Sequence, residues 1–131
     1  MMYDCYMIVG EEFKNVILQG QVIGFQIGLR MPYYSSVVLS LVGKTELTVD
    51  GEGYEPNQMT VSLRGINFPH TELEDESNEK WEFGEVGILT ITKPGGLRPG
   101  EHVVDVRQHL KISFIDGGLY GHDIKKLPLL R

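Results

Sequence analysis

Four histidines, a crowd of carboxylates and one paired-tyrosine loop are the residues of this chain whose types could do chemistry. His70, His102, His109 and His122 stand at none of the spacings, His-x-His or His-Glu-x-x-His, that place two ligands on one metal. Each is therefore expected to be solvated or hydrogen-bonded. Glu72, Glu74, Asp75, Glu76 and Glu79 read as one solvated acidic loop, since no Asp-x-Asp-x-Asp-Gly register wraps calcium. The sequence holds no Gly-x-Ser-x-Gly elbow, Walker loop or dinucleotide fingerprint. Pro94-Gly95-Gly96 opens a β-turn, so it lacks the helix N-terminus that cradles phosphate. No catalytic residue, metal ligand or cofactor site is assigned to this chain from its residues.

The segment Arg30-Met31-Pro32-Tyr33-Tyr34-Ser35-Ser36 resists a purely structural reading. It ends an alternating strand, and Pro32 stops the ladder by removing a donor. Tyr33 and Tyr34 then stand in a loop, each offering a flat apolar face and a phenol. They either lid the core or face a substrate or partner. Trp81, in Lys80-Trp81-Glu82-Phe83-Gly84, is the second aromatic focus, and it either caps the core or makes such a contact. Arg30, Pro32, Tyr33, Tyr34 and Trp81 form the candidate substrate- or partner-facing set.

The elements that must position these residues are strands. Val104, Val106, Leu110, Ile112 and Phe114 share one parity, and Asp105, Arg107, His109, Lys111 and Ser113 share the other, the period of a half-buried strand. Gln108 breaks the apolar series and marks a bulge or a polar contact. Further strands are expected at Phe13–Leu18, Gln21–Arg30, Val37–Leu41, Thr45–Asp50, Met59–Leu63, Ile66–Phe68 and Val86–Thr92. Asp50-Gly51 and Arg64-Gly65 supply turns between them. Helical potential is confined to a turn or two within Thr71–Ser77. Short strands with turn signals between them predict an all-β, two-layer antiparallel β-sandwich, read as a single domain over 1–131. The tail from about 116 to 131, glycine-loosened and then basic and greasy, either tucks onto the sandwich or docks on a partner.

The 131 residues carry 12 basic and 18 acidic side chains, a net charge of −6. Nothing electrostatic favours a nucleic-acid backbone. No apolar run reaches the ~20 residues that span a bilayer. Asp4 stands where a signal peptide wants a basic residue, and the single Cys5 excludes an intrachain disulfide, so a cytoplasmic setting is expected.

Arg30-Met31-Pro32-Tyr33-Tyr34, Leu47-Thr48-Val49-Asp50-Gly51-Glu52, Trp81-Glu82-Phe83-Gly84 and Lys93-Pro94-Gly95-Gly96-Leu97-Arg98-Pro99-Gly100-Glu101-His102 occur in one order along the chain. This ordered set resembles the small (beta) subunit of bacterial C-glycoside deglycosidases, from about Met2 to Phe114. Ser35-Ser36 depart from the basic residue and glycine that often follow the tyrosine pair there. The resemblance implies a β-sandwich that pairs with a larger (β/α)₈-barrel alpha subunit in a hetero-oligomer. It implies that the barrel holds a divalent metal, commonly Mn²⁺, and the catalytic base. The complex then cleaves the carbon–carbon bond joining a 3-oxo-glucosyl group to an aromatic aglycone such as a flavone or isoflavone. A ketone at C3 acidifies the C2 proton, and a metal on the oxygens stabilises the enolate from which the aglycone is eliminated. A stand-alone sugar- or protein-binding sandwich, or an enzyme whose site is gathered from several strands, are the competing readings.

Overall fold

The computed structural model describes residues 7–112 and 117–130. Eleven strands lie within them: β1 (Ile8–Leu18), β2 (Gln21–Leu29), β3 (Val37–Val38), β4 (Val42–Val49), β5 (Glu52–Tyr54), β6 (Met59–Leu63), β7 (Ile66–Pro69), β8 (Lys80–Trp81), β9 (Gly87–Thr92), β10 (Glu101–Leu110) and β11 (Leu119–Pro128). A five-stranded sheet runs β1-β2-β9-β6-β7, a four-stranded sheet β11-β10-β4-β5, and β3 pairs with β8. All ladders between these strands are antiparallel. The fold is the expected all-β sandwich.

Alternation decides what each sheet buries. Phe25, Ile27 and Leu29 of β2 pair with Ile91, Leu89 and Gly87 of β9, and Met59 and Val61 of β6 complete the inward face. Leu47, Val49, Val104, Val106 and Leu110 of the other sheet are buried against them. Three hairpins turn on a residue pair with positive φ: Gln19-Gly20, Asp50-Gly51 and Arg64-Gly65. That geometry matches the twist of antiparallel strands, and glycine at the second position adopts it without a Cβ clash.

Several expected boundaries move. β1 begins at Ile8, five residues before the expected Phe13, because the ladder slips between Val9 and Lys14 and the bulge scrambles the alternation. Leu39–Leu41 is a 3₁₀ turn instead of strand, and His70–Asp75 is a 3₁₀ helix within the acidic stretch. The long strand stops at Leu110, short of the expected Phe114, which lies outside the described residues. From Leu119 onward the tail lies on the sandwich. β11 pairs with β10 along its whole length, and Leu130 donates its backbone N–H to Phe13, closing a seam with β1. Asp123 Oδ2 accepts the Ile8 N–H at 2.9 Å in the same seam, while Lys125 Nζ donates to the Ile8 carbonyl at 2.7 Å. No helix among the described residues is long and apolar enough to cross a membrane.

Gln108 is fully buried and satisfies its own cost. Its amide nitrogen donates to the carbonyls of Gly43 and His109 at 3.1 and 3.0 Å. Its oxygen is thereby left facing Thr45, whose hydroxyl must donate to it. The Thr45 oxygen then accepts from His70 Nε2 at 2.7 Å, fixing the tautomer of that buried ring. Burial holds the His70 imidazole below its ordinary pKa. Both alternatives raised for Gln108 are realised, since the β10–β4 register also slips between Gln108 and Leu110.

Candidate functional site

β2 leaves its sheet at Arg30, whose backbone N–H donates to Met7 and whose Nε donates to the Gly84 carbonyl at 3.3 Å. Pro32 is buried, its ring lying so close to Gly121 of β11 that a Cβ there would collide with it. A main-chain bond from Tyr33 N–H to Met31 O bends the loop outward. Tyr33 packs against the margin of the core, while Tyr34 is 59% exposed. The two rings lie 4.6 Å apart, tilted by 48°. A hydrogen bond with the Tyr34 phenol, assisted by desolvation, holds the Tyr33 phenol above its usual pKa. The tyrosine alternatives therefore divide: Tyr33 lids the core, and Tyr34 faces outward.

Two members of the candidate set lie inside the sandwich. Trp81 is 1% exposed and packs in the core, the first of its two alternatives. Its ring covers Gly87, where a Cβ would come within 2.5 Å of Cζ2, and its Nε1 donates to the Glu85 carbonyl at 2.9 Å. Only glycine leaves room for an indole over that strand, which is why the tryptophan sits in the core. Pro32, buried against Gly121, positions the loop and presents nothing to solvent.

Trp81 nevertheless sets the geometry. It anchors the turn that carries Phe83, 62% exposed, beside the Gly84 carbonyl held by Arg30. Arg64 clamps the same turn, with Nη1 2.5 Å from a Glu85 carboxylate oxygen. Tyr120 of β11 is 61% exposed and stacks on His109 at 4.4 Å. These residues meet at one end of the sandwich. Leu29 pairs there with Gly87, Leu110 pairs with Leu119, and Pro32 joins the two sheets through Gly121. Phe83 lies inside the Trp81-Glu82-Phe83-Gly84 motif, and Tyr120 carries no local signal because the glycines around it mask its strand.

This end offers π-faces, phenols and the guanidinium groups of Arg30 and Arg64, groups suited to a flat aromatic ligand or a protein surface. Arg30 also lines a cleft of about 490 Å³ between β1 and β11, with Val9, Glu11, Lys125 and Leu127. The histidines are engaged by the fold. His102 bridges Asp50 Oδ2 at 2.6 Å and the Arg98 carbonyl at 2.7 Å. His122 meets Asp105 at 2.8 Å, and His109 reaches the Gly117 carbonyl at 3.1 Å. Asp50 also accepts the Val103 N–H, and that bond, followed by the one to His102, holds its carboxyl below the usual carboxylate range. Among the described residues, no three His, Cys, Asp or Glu side chains gather as a metal-binding group.

The chain is thus an antiparallel sandwich that exposes aromatics at one end and hydrogen-bonds its histidines within the fold. The chain belongs to the C-glycoside deglycosidase beta subunit family, whose model matches residues 3–114. It is 32% identical over 91 residues to the C-glycoside deglycosidase beta subunit of Eubacterium cellulosolvens, covering 69% of this chain and 62% of that relative. The aligned part thus spans less than two thirds of that protein's length. It is also similar to the 3'-dehydrocarminate deglycosidase beta subunit of a Microbacterium species, at 22% identity over 107 residues, 78% of this chain and 80% of that one.

Proposed function

We propose that this chain is the non-catalytic, accessory subunit of a cytoplasmic carbon–carbon lyase complex. The complex cleaves the C-glycosidic bond of 3-oxo-glucosyl aromatic compounds, such as flavonoid or isoflavonoid C-glycosides. Catalysis is carried by a larger (β/α)₈-barrel subunit. The observation that carries the reading is the family match across residues 3–114. The Microbacterium relative's name refers to a 3'-dehydro compound, which supports an oxidised glycoside as the substrate class. The divalent metal, Mn²⁺, is assigned to the partner, as the family resemblance implies. The role of this chain is to bind the barrel and present Arg30, Tyr34 and their neighbours toward it.

Co-expression with a barrel-type partner and assay on a 3-oxo-C-glucoside test the reading. Cleavage should require both chains, and metal should travel with the barrel. Turnover by this chain alone, or one equivalent of metal in the purified chain, would overturn the division of labour.

A further inference from the structure

No charged residue occurs between Asn15 and Leu29, in a chain that is 23% charged. The segment folds into the β1–β2 hairpin, whose tip exposes Ile17 at 66% and Leu18 at 58%. The neutrality continues across the sheet. Register places Gly28 beside Ile88, Ser62 and Asn67 on the outward face, and Gln26 beside Thr90, Thr60 and Pro69. Val9, Lys14 and Val16 of β1 complete that face, and its charges lie at the β1 edge: Lys14, Glu11 beside Val9, and Glu12, which reaches Gln26 from the bulge. The outward face of the other sheet is the opposite. Glu101, Asp105 and Arg107 of β10 stand there with Glu46 of β4 and Lys126 of β11.

Solvated sheet faces are normally laced with charge, and loss of charge at the centre marks a surface that another protein covers. Strands of 11, 9, 6, 5 and 4 residues, at ~3.3 Å per residue and ~4.8 Å between strands, make up the face. That is about 550 Å², the greater part of the ~800 Å² each partner contributes to a standard interface. We infer that the larger subunit docks side-on against this face, from the Ile17-Leu18 tip to the end that carries Phe83 and Arg30. The inference rests on the accessory-subunit reading above. A beta subunit has a larger chain to meet, and a second copy of this chain would bring another net charge of −6.

The test places one cation on each face: Thr90→Arg on the neutral face and Thr48→Arg on the charged one. Affinity for the co-expressed barrel is measured by titration, and each isolated chain is checked by thermal melting. Thr90→Arg should weaken the complex at least tenfold, and Thr48→Arg should stay within twofold of wild type. Thr60→Lys replaces Thr90→Arg if the latter melts early. Wild-type affinity in the neutral-face variants would overturn the inference while leaving the complex intact. So would a dimer of this chain alone that those variants abolish while the complex persists. Failure of the wild-type chains to associate at all would remove the accessory-subunit reading, and the inference with it.

Discussion

Replacing Gln108 by leucine would restore the apolar alternation of β10, yet it should destabilise the chain. Gln108 makes two bonds to main-chain carbonyls and accepts a third from Thr45, all away from water. At about 1 kcal/mol net per buried hydrogen bond, roughly 3 kcal/mol is lost. A leucine at the same buried position recovers about 1 kcal/mol through its extra apolar surface. The balance is a loss of about 2 kcal/mol, or about 1 M in the urea midpoint at a slope of ~2 kcal/mol/M. Fluorescence of Trp81, the one tryptophan, reports the transition from inside the core. Adding Thr45→Val to Gln108→Leu should recover none of the loss, because it removes the acceptor of the buried His70 Nε2–H. A midpoint for Gln108→Leu equal to or above wild type would show that the polar network contributes nothing.

Tyr34→Ala should leave the melting temperature of the isolated chain nearly unchanged and weaken the barrel complex by ~2 kcal/mol or more, about thirtyfold, as measured by titration. His70 is neutral in the fold with its pKa lowered, so its contribution is complete above about pH 6.5 and is lost as pH falls from there toward the folded value. Urea midpoints between pH 8 and 5, a window in which Asp50 stays ionised, should fall toward acid, and His70→Gln should flatten the slope. The Tyr54 hydroxyl is buried with no hydrogen-bond partner among the described residues, and burial with the nearby Glu52 charge pushes its pKa up to about 12. Tyr54→Phe should be neutral or stabilising by up to ~1 kcal/mol in the same unfolding assay, since no bond is broken.

Period-two alternation and turn dipeptides made most of the sandwich legible. Met59–Leu63 and the Asp50-Gly51 and Arg64-Gly65 turns stand where residue types alone place them. Alternation failed where the backbone departs from regular pleating. The bulge after Val9 hid the start of β1, and the crowding of Gly117, Gly118 and Gly121 made β11 look loose. The candidate site was half legible. Pro32 marked the strand end and the tyrosines marked the loop. Whether an aromatic points in or out depends on what lies opposite. Trp81 turns inward because Gly87 leaves room for it, and Phe83 turns outward two residues later. No local rule carries that information, because Trp81 and Gly87 lie on different strands.

The seam between β1 and β11 gives this subunit an order of events. Ile8 is tied to Asp123 and Lys125, and Phe13 to Leu130, so the two sheets are stitched together by residues more than a hundred positions apart. Pro32 likewise depends on Gly121 for its seat. On a ribosome, β1 and β2 emerge early as a hairpin with an uncharged, apolar tip, and they wait for β11 before the seam can close. The tyrosine loop cannot take its final position until then. On the proposed accessory-subunit reading, a partner that recognises that loop would meet only chains in which β11 is complete, and a chain cut short before β11 would lack the Gly121 seat of Pro32.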